Sequence, residues 1–160
     1  MNKLSHIDDQ GQVQMVDVTG KDTTVRMARA QGVIRLKPET LAQIAEGQMA
    51  KGDVFTTAKI AGIMAAKQTG ALIPMCHPLS LTGVDMTFEI DRQNSRIIIG
   101  AEARTVGPTG VEMEALTAVS VAALTVYDMC KAADKEMVIG PVVLLEKSGG
   151  RSGHFIRKTE

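Results

Sequence analysis

Val84, Met86, Phe88 and Ile90 alternate with polar neighbours, and Ile97, Ile99, Ala101 and Ala103 do the same after the turn Arg92-Gln93-Asn94-Ser95. A period of two belongs to half-buried strands, so these runs predict an antiparallel hairpin. Apolar residues and alanines recur at helical spacing from Gly110 to Lys135, and again in VFTTAKIAGIMAAKQTG, where Val54, Ala58, Ala61 and Ala65 fall on one side. Asp53 stands where it can cap that second helix, and Gly70 closes it. A shorter helix is expected over ETLAQIAEG, with Pro38 as its first residue and Gly47 at its end. Val33 to Leu36 and Val142 to Leu145 read as the first and last strands. Val13 to Val18 make one short alternating run near the start. The TGKDTTVRMARAQG that follows predicts a mobile arm carrying Lys21, Arg26 and Arg29, and the glycine-rich KSGGRSGHFIRKTE predicts a mobile tail.

Set in order, strand, helices, hairpin, helix and strand give the split βαβ arrangement of a ferredoxin-like α+β sandwich, βαββαβ, an antiparallel sheet of four strands with helices on one face. Residues 1–160 form a single domain, with 1–30 a partly mobile arm and 148–160 a mobile tail, since neither an internal repeat nor a break in composition divides the chain. Strands so apolar leave the second sheet face in need of cover, from the N-terminal segment or a second copy, which favours an oligomer.

Composition narrows the function. A chain of 160 residues buries roughly 68–70% of its unfolded surface, enough for a core without staples. Its apolar runs are too short to span a bilayer, and the N-terminus lacks the order of a secretory signal, so a cytoplasmic address is expected and no membrane partner. Lys plus Arg and Asp plus Glu are both 18, so no global field draws the protein onto nucleic acid or anionic lipid, and anions must be held locally. With three Phe, one Tyr and no Trp, little is available to stack on unpaired bases. Cys76 and Cys130 form no close-spaced pair and are expected reduced.

Candidate chemistry gathers in a few stretches. In LIPMCHPL, Pro74 and Pro78 flank Met75, Cys76 and His77 and hold them as a stiff extended strap. Adjacent residues of an extended chain point to opposite sides, which disfavours a Cys-His nucleophile pair. A metal site would need ligands beyond His6 and His154, which lie in the expected arm and tail. Ligand contact or acid-base work by His77 remains, beside the plain alternative of a loop histidine. Asp128 and Lys131 share a helix face, as a surface ion pair or a functional one. Glu112 and Glu114 lie in the first turn of the same helix, where acids also serve its dipole. Lys51 precedes a helix N-terminus, a setting that favours anions. KSGGRSG has glycines and cations suited to phosphate but not the order of a Walker loop. At 1.5 Å per residue, Glu114 and Asp128 stand roughly 21 Å apart along one continuous helix. If both ends serve one chemistry, either the helix starts late or a second subunit supplies the opposite end.

Together KGDVFTTAKIAGIMAAKQTG, LIPMCHPL, GPTGVEMEALTAVSVAALTVYDMCKAADK and KSGGRSG strongly resemble the cyclic pyranopterin monophosphate synthase family of molybdenum cofactor biosynthesis, over nearly the whole chain from Met15 to Gly153. The resemblance implies a lyase that converts 3′,8-cyclo-7,8-dihydroguanosine 5′-triphosphate to cyclic pyranopterin monophosphate with release of diphosphate. It also implies a ferredoxin-like protomer and a homohexamer, a trimer of dimers with sites at subunit interfaces. Transient contact with the upstream radical GTP cyclase would accompany it. Carried over by position, Lys51, Asp128 and Lys131 are catalytic. Met75, Cys76, His77, Glu112, Met113 and Glu114 contact substrate, and Lys21, Arg26 and Lys147 grip the triphosphate. No redox cofactor is implied; magnesium would arrive with the triphosphate, and the sequence shows no site for it. Without the resemblance, the rival is a non-catalytic small-molecule-sensing module on the same fold. RNA binding is disfavoured because RIIIGAEAR lacks stacking aromatics.

Overall fold

The computed structural model describes residues 6–158; the outermost parts of the expected arm and tail, 1–5 and 159–160, lie outside the described residues. The elements run β1 (Thr24–Arg35), α1 (Pro38–Ala45), α2 (Val54–Lys67), α3 (Thr69–Leu72), β2 (Leu81–Asp91), β3 (Arg96–Gly107), α4 (Glu112–Cys130), β4 (Val138–Ser148) and β5 (Phe155–Ile156). All pairings are antiparallel, in the order β2-β3-β1-β4-β5. β1 therefore lies between β3 and β4, the split βαβ arrangement, with one short strand added at the edge.

The helix signals hold locally. Pro38 opens α1, and the Asp53 carboxylate accepts from the Thr56 N–H at the start of α2. Two strands are longer than their apolar runs. β1 begins at Thr24, so Arg26 and Arg29 stand in the sheet and not on an arm. Its first half is poor in β-branched residues and is held by β3 from Thr24 and by β4 from Met27 on, which overrides weak propensity. β4 starts at Val138, its alternation broken by Gly140 and Pro141, and Phe155 and Ile156 of the expected tail pair with Lys147 and Glu146.

Ala28, Ala30 and Ile34 of β1, with Ile97, Ile99, Ala101 and Ala103 of β3, face a helix row of Ala115, Ala118, Val119, Ala122 and Val126. Alternation puts large and small residues on one side of each strand, and the alanines let α4 settle close to the sheet. By length and composition α4 is the one helix among the described residues able to cross a membrane. Here it fills the core between α2 and strands β1, β3 and β4. In α2, Gly62 turns inward where Ala61 was expected, and Ala61 is only half-buried.

The opposite sheet face is not the apolar surface that alternation suggested. Arg29 pairs there with Glu102 at 2.6 Å and Glu146 at 3.0 Å, and Arg104 pairs with Glu102 and Asp85. Apolar residues share that side, with Val25 70% and Val106 54% exposed and Ile98 and Leu145 beside the charged cluster, so the face is mixed.

Candidate active site

α4 positions chemistry at both of its ends. At the C-terminal end, Asp128 lies in the last turn and Lys131 caps the helix, its backbone N–H bonded to the Tyr127 carbonyl. Lys131 Nζ sits 2.6 Å from Asp128 Oδ1. From the loop before α2, Lys51 Nζ donates to Asp128 Oδ2 at 2.8 Å and to the Asp128 carbonyl oxygen at 2.9 Å. Two ammonium groups thus share one carboxylate at the negative end of a helix dipole. Hydrogen bonds from Lys131 first and Lys51 second push the Asp128 carboxyl down to about 2. The Asp128 carboxylate in turn raises Lys131 above the ordinary lysine value. All three side chains are about half exposed. A cluster this exposed adds little to stability.

At the N-terminal end, a cavity of about 340 Å³ is walled by the strap residues Met75, Cys76 and His77, by Glu112, Met113 and Glu114 of α4, and by Val16, Val18 and Lys21. His77 Nε2 lies 2.7 Å from the Val16 carbonyl oxygen. A carbonyl only accepts, so Nε2 carries the proton, and the bond ties the N-terminal segment to the strap. Glu114 is 4% exposed. Burial chiefly, with the charge of Glu112 behind it, raises its carboxyl against a hydrogen bond from its own backbone N–H. Burial first, and Glu114 second, raises the Cys76 thiol. A thiol so placed is a poor nucleophile, in line with the expectation against a Cys-His pair.

A second cavity of about 530 Å³ adjoins the first and shares Lys21, Thr109, Gly110 and Glu112 with it. The Glu112 carboxylate lies across Gly110, where a Cβ would sit 2.0 Å from Glu112 Oε2. Lys147 Nζ holds that carboxylate at 3.2 Å and donates to Ser152 Oγ at 2.6 Å. Lys21, Arg26 and Arg151 place three cations on the walls. The buried Thr24 Oγ1 on the same wall has no hydrogen-bond partner among the described residues.

The structure thus gathers the sequence-predicted residues into two groups. Lys51, Asp128 and Lys131 form one. Met75, Cys76, His77, Glu112, Met113, Glu114, Lys21, Arg26 and Lys147 line the joined cavities or bind a side chain that does. The two groups do not meet within one chain. α4 runs unbroken from Glu112 to Cys130, so the helix does not start late, and its ends keep the roughly 21 Å between Glu114 and Asp128 that its rise sets. Thr109 is a wall residue that the chain's patterning did not single out, and Arg151 was read only as one of the two KSGGRSG cations suited to phosphate. Among the described residues, no group of three or more His, Cys, Asp or Glu side chains is placed to hold a metal.

An acid-base cluster and cation-walled cavities on an α+β sandwich describe an enzyme acting on a small anionic molecule. The chain belongs to the MoaC family, whose model matches residues 15–150. A cyclic pyranopterin monophosphate synthase of Pelotomaculum thermopropionicum is 59% identical over 160 residues, spanning 100% of this chain and 94% of the relative. One from a Roseiflexus species is 60% identical over 156 residues, spanning 98% and 99%. One from Magnetococcus marinus is 57% identical over 160 residues, spanning 100% and 98%.

Proposed function

We propose that this chain is a cyclic pyranopterin monophosphate synthase, a lyase that turns 3′,8-cyclo-7,8-dihydroguanosine 5′-triphosphate into cyclic pyranopterin monophosphate and diphosphate. The observation that carries the reading is the Lys51–Asp128–Lys131 cluster, present in a chain 57–60% identical over 98–100% of its length to proteins of that name. Rebuilding a guanine-derived ring as a pterin needs repeated proton transfers at nitrogen and carbon. Lys131, held protonated by Asp128, is the acid of the resting site. The Asp128 carboxylate becomes a free base once substrate draws the ammonium groups away. A sugar oxygen then attacks the innermost phosphorus, the bond to the leaving diphosphate breaks, and cations meet the developing charge. Lys51 supplies one such charge or a further proton.

Base and phosphates divide between the joined cavities. Glu112 or Glu114 reads the guanidine-like N–H edge of the base, since a carboxylate accepts two parallel N–H bonds. Lys21 and Lys147 meet the phosphates. No resident cofactor enters this scheme; magnesium comes with the triphosphate. Because the two groups of residues stand at opposite ends of one helix, the working site is composite, with a second chain's Lys51 cluster brought to the cavities of the first. A homohexamer built as a trimer of dimers would satisfy that requirement. The cytoplasm is the proposed address, with transient docking to the upstream radical cyclase as the source of substrate.

Incubation of purified protein with the cyclic dihydroguanosine triphosphate, followed by mass detection of product and diphosphate, tests the reading. Binding without diphosphate release would return the chain to the sensing class.

A further inference from the structure

Arg26 was expected to grip the triphosphate, and its guanidinium does stand on the wall of the second cavity. Its donors, however, are directed at the protein. Nε donates to the Gly107 carbonyl at 3.2 Å, Nη2 to the Pro108 carbonyl at 3.1 Å and Nη1 to the Gly149 carbonyl at 3.4 Å. The residue is 8% exposed and makes no ion pair among the described residues. A buried cation without a counter-charge needs its hydrogen bonds, and here three backbone carbonyls from two loops supply them. One loop joins β3 to α4 and presents Thr109 and Gly110 to the cavity. The other follows β4 and presents Gly150, Arg151 and Ser152. The second loop folds directly over the guanidinium: Gly149 and Gly150 have φ of +97° and +74°, and a Cβ on Gly150 would lie 1.6 Å from Arg26 Nη1. By contrast, Lys21 and Arg151 make no side-chain hydrogen bond or ion pair among the described residues.

We infer that Arg26 is a positioning residue, whose planar fork ties the 107–110 and 149–152 loops together as one cavity wall, and that Lys21 and Arg151 provide the free charge for the ligand. A lysine carries the same charge but no fork, and cannot reach three carbonyls in fixed directions.

This deepens the proposed function by assigning the cavity to phosphate, and the test has one arm free of that assignment. Amide hydrogen exchange is followed at Gly107, Thr109 and Gly110 in Arg26→Lys and Gly150→Ala. The second variant removes no charge and does not touch the 107–110 loop except through Arg26. Both should speed exchange at these amides at least tenfold while the β1 and β3 core amides hold. Lys21→Ala and Arg151→Ala should leave exchange unchanged. In calorimetry with inorganic diphosphate, all four should weaken binding at least fivefold. Unchanged exchange at 107–110 in either of the first two variants overturns the inference, as does loss of protection throughout the core in both. Faster exchange with unaltered diphosphate binding in all four variants keeps the wall-tying role and instead removes the cavity from the phosphate reading.

Discussion

Replacing Gly62 by alanine sets two opposed effects against each other. In the middle of a helix alanine is favoured over glycine by about 1 kcal/mol. Against this, Gly62 is where α2 meets both α4 and the sheet: a Cβ there would lie 2.3 Å from Met86 Sδ, 2.7 Å from Met86 Cε and 2.9 Å from the Ala118 carbonyl oxygen. The end of the methionine can swing aside, but Met86 is buried and has little room. Ala118 O belongs to the backbone of α4, so relief requires the helices to separate. Overpacking of this kind costs about 1–3 kcal/mol. With two close contacts and one of them rigid, the upper part of that range applies, leaving a net loss of about 1–2 kcal/mol. For a domain of this size that lowers the thermal midpoint by about 2–8 °C. The packing change also reaches the site. α2 starts at Val54 under the Asp53 cap, three residues after Lys51, and pushing α2 off α4 draws Lys51 away from Asp128. Differential scanning calorimetry and diphosphate release, measured on the same preparation, should both fall. A midpoint equal to or above that of the parent would show that helix propensity outweighs the clash and would refute the reasoning.

Other outcomes follow from the site. Lys131→Ala and Asp128→Ala should abolish product formation without moving the unfolding midpoint appreciably, because the cluster is half exposed; full turnover in either removes that residue from the mechanism. The Asp128 carboxyl is depressed to about 2 from 3.8, so its ion-pair contribution is complete above pH 3.8 and lost as pH falls through about 2. The Asp128 carboxyl signal followed by NMR should therefore show no titration between pH 4 and 8, and a midpoint inside that window would refute the pairing. Glu114 behaves oppositely: its carboxyl is raised by burial from 4.5, so stability is lost as pH rises from 4.5 through the raised value. Glu114→Gln should consequently raise the midpoint at pH 8 and change it little at pH 4, as calorimetry at the two pH values would show. Mixing Lys131→Ala with Glu114→Ala chains under conditions of subunit exchange should restore part of the activity that each lacks; exchange without any recovery would place the whole site in one chain.

The chain's patterning reached the order of the elements because each carries its own signal. Pro38 and Asp53 mark helix starts by local chemistry, and the hairpin around Arg92 to Ser95 is written in strict alternation. The first half of β1 was hidden, since TVRMARAQG is stabilised by the strands beside it and not by its own residues. The ion-pair cluster on the outer face was missed for a related reason: counting apolar residues along a strand says little about how Glu102 and Arg104 pair across it. Of the site, the strap and the α4 acids were legible as odd combinations of residue types. That Lys51 joins Asp128 was not, because it depends on α2 packing alongside α4. Nor could the sequence distinguish a cation facing a ligand from Arg26, which faces three carbonyls.

An unbroken helix is a stiff rod, and α4 carries one group of candidate site residues at each tip. No rearrangement of the loops at either end shortens the rod. If turnover needs both halves together, its throttle is encounter between chains: specific activity per chain should decline on dilution, and a molecule that merely wedges neighbours apart would silence the enzyme without entering either cavity.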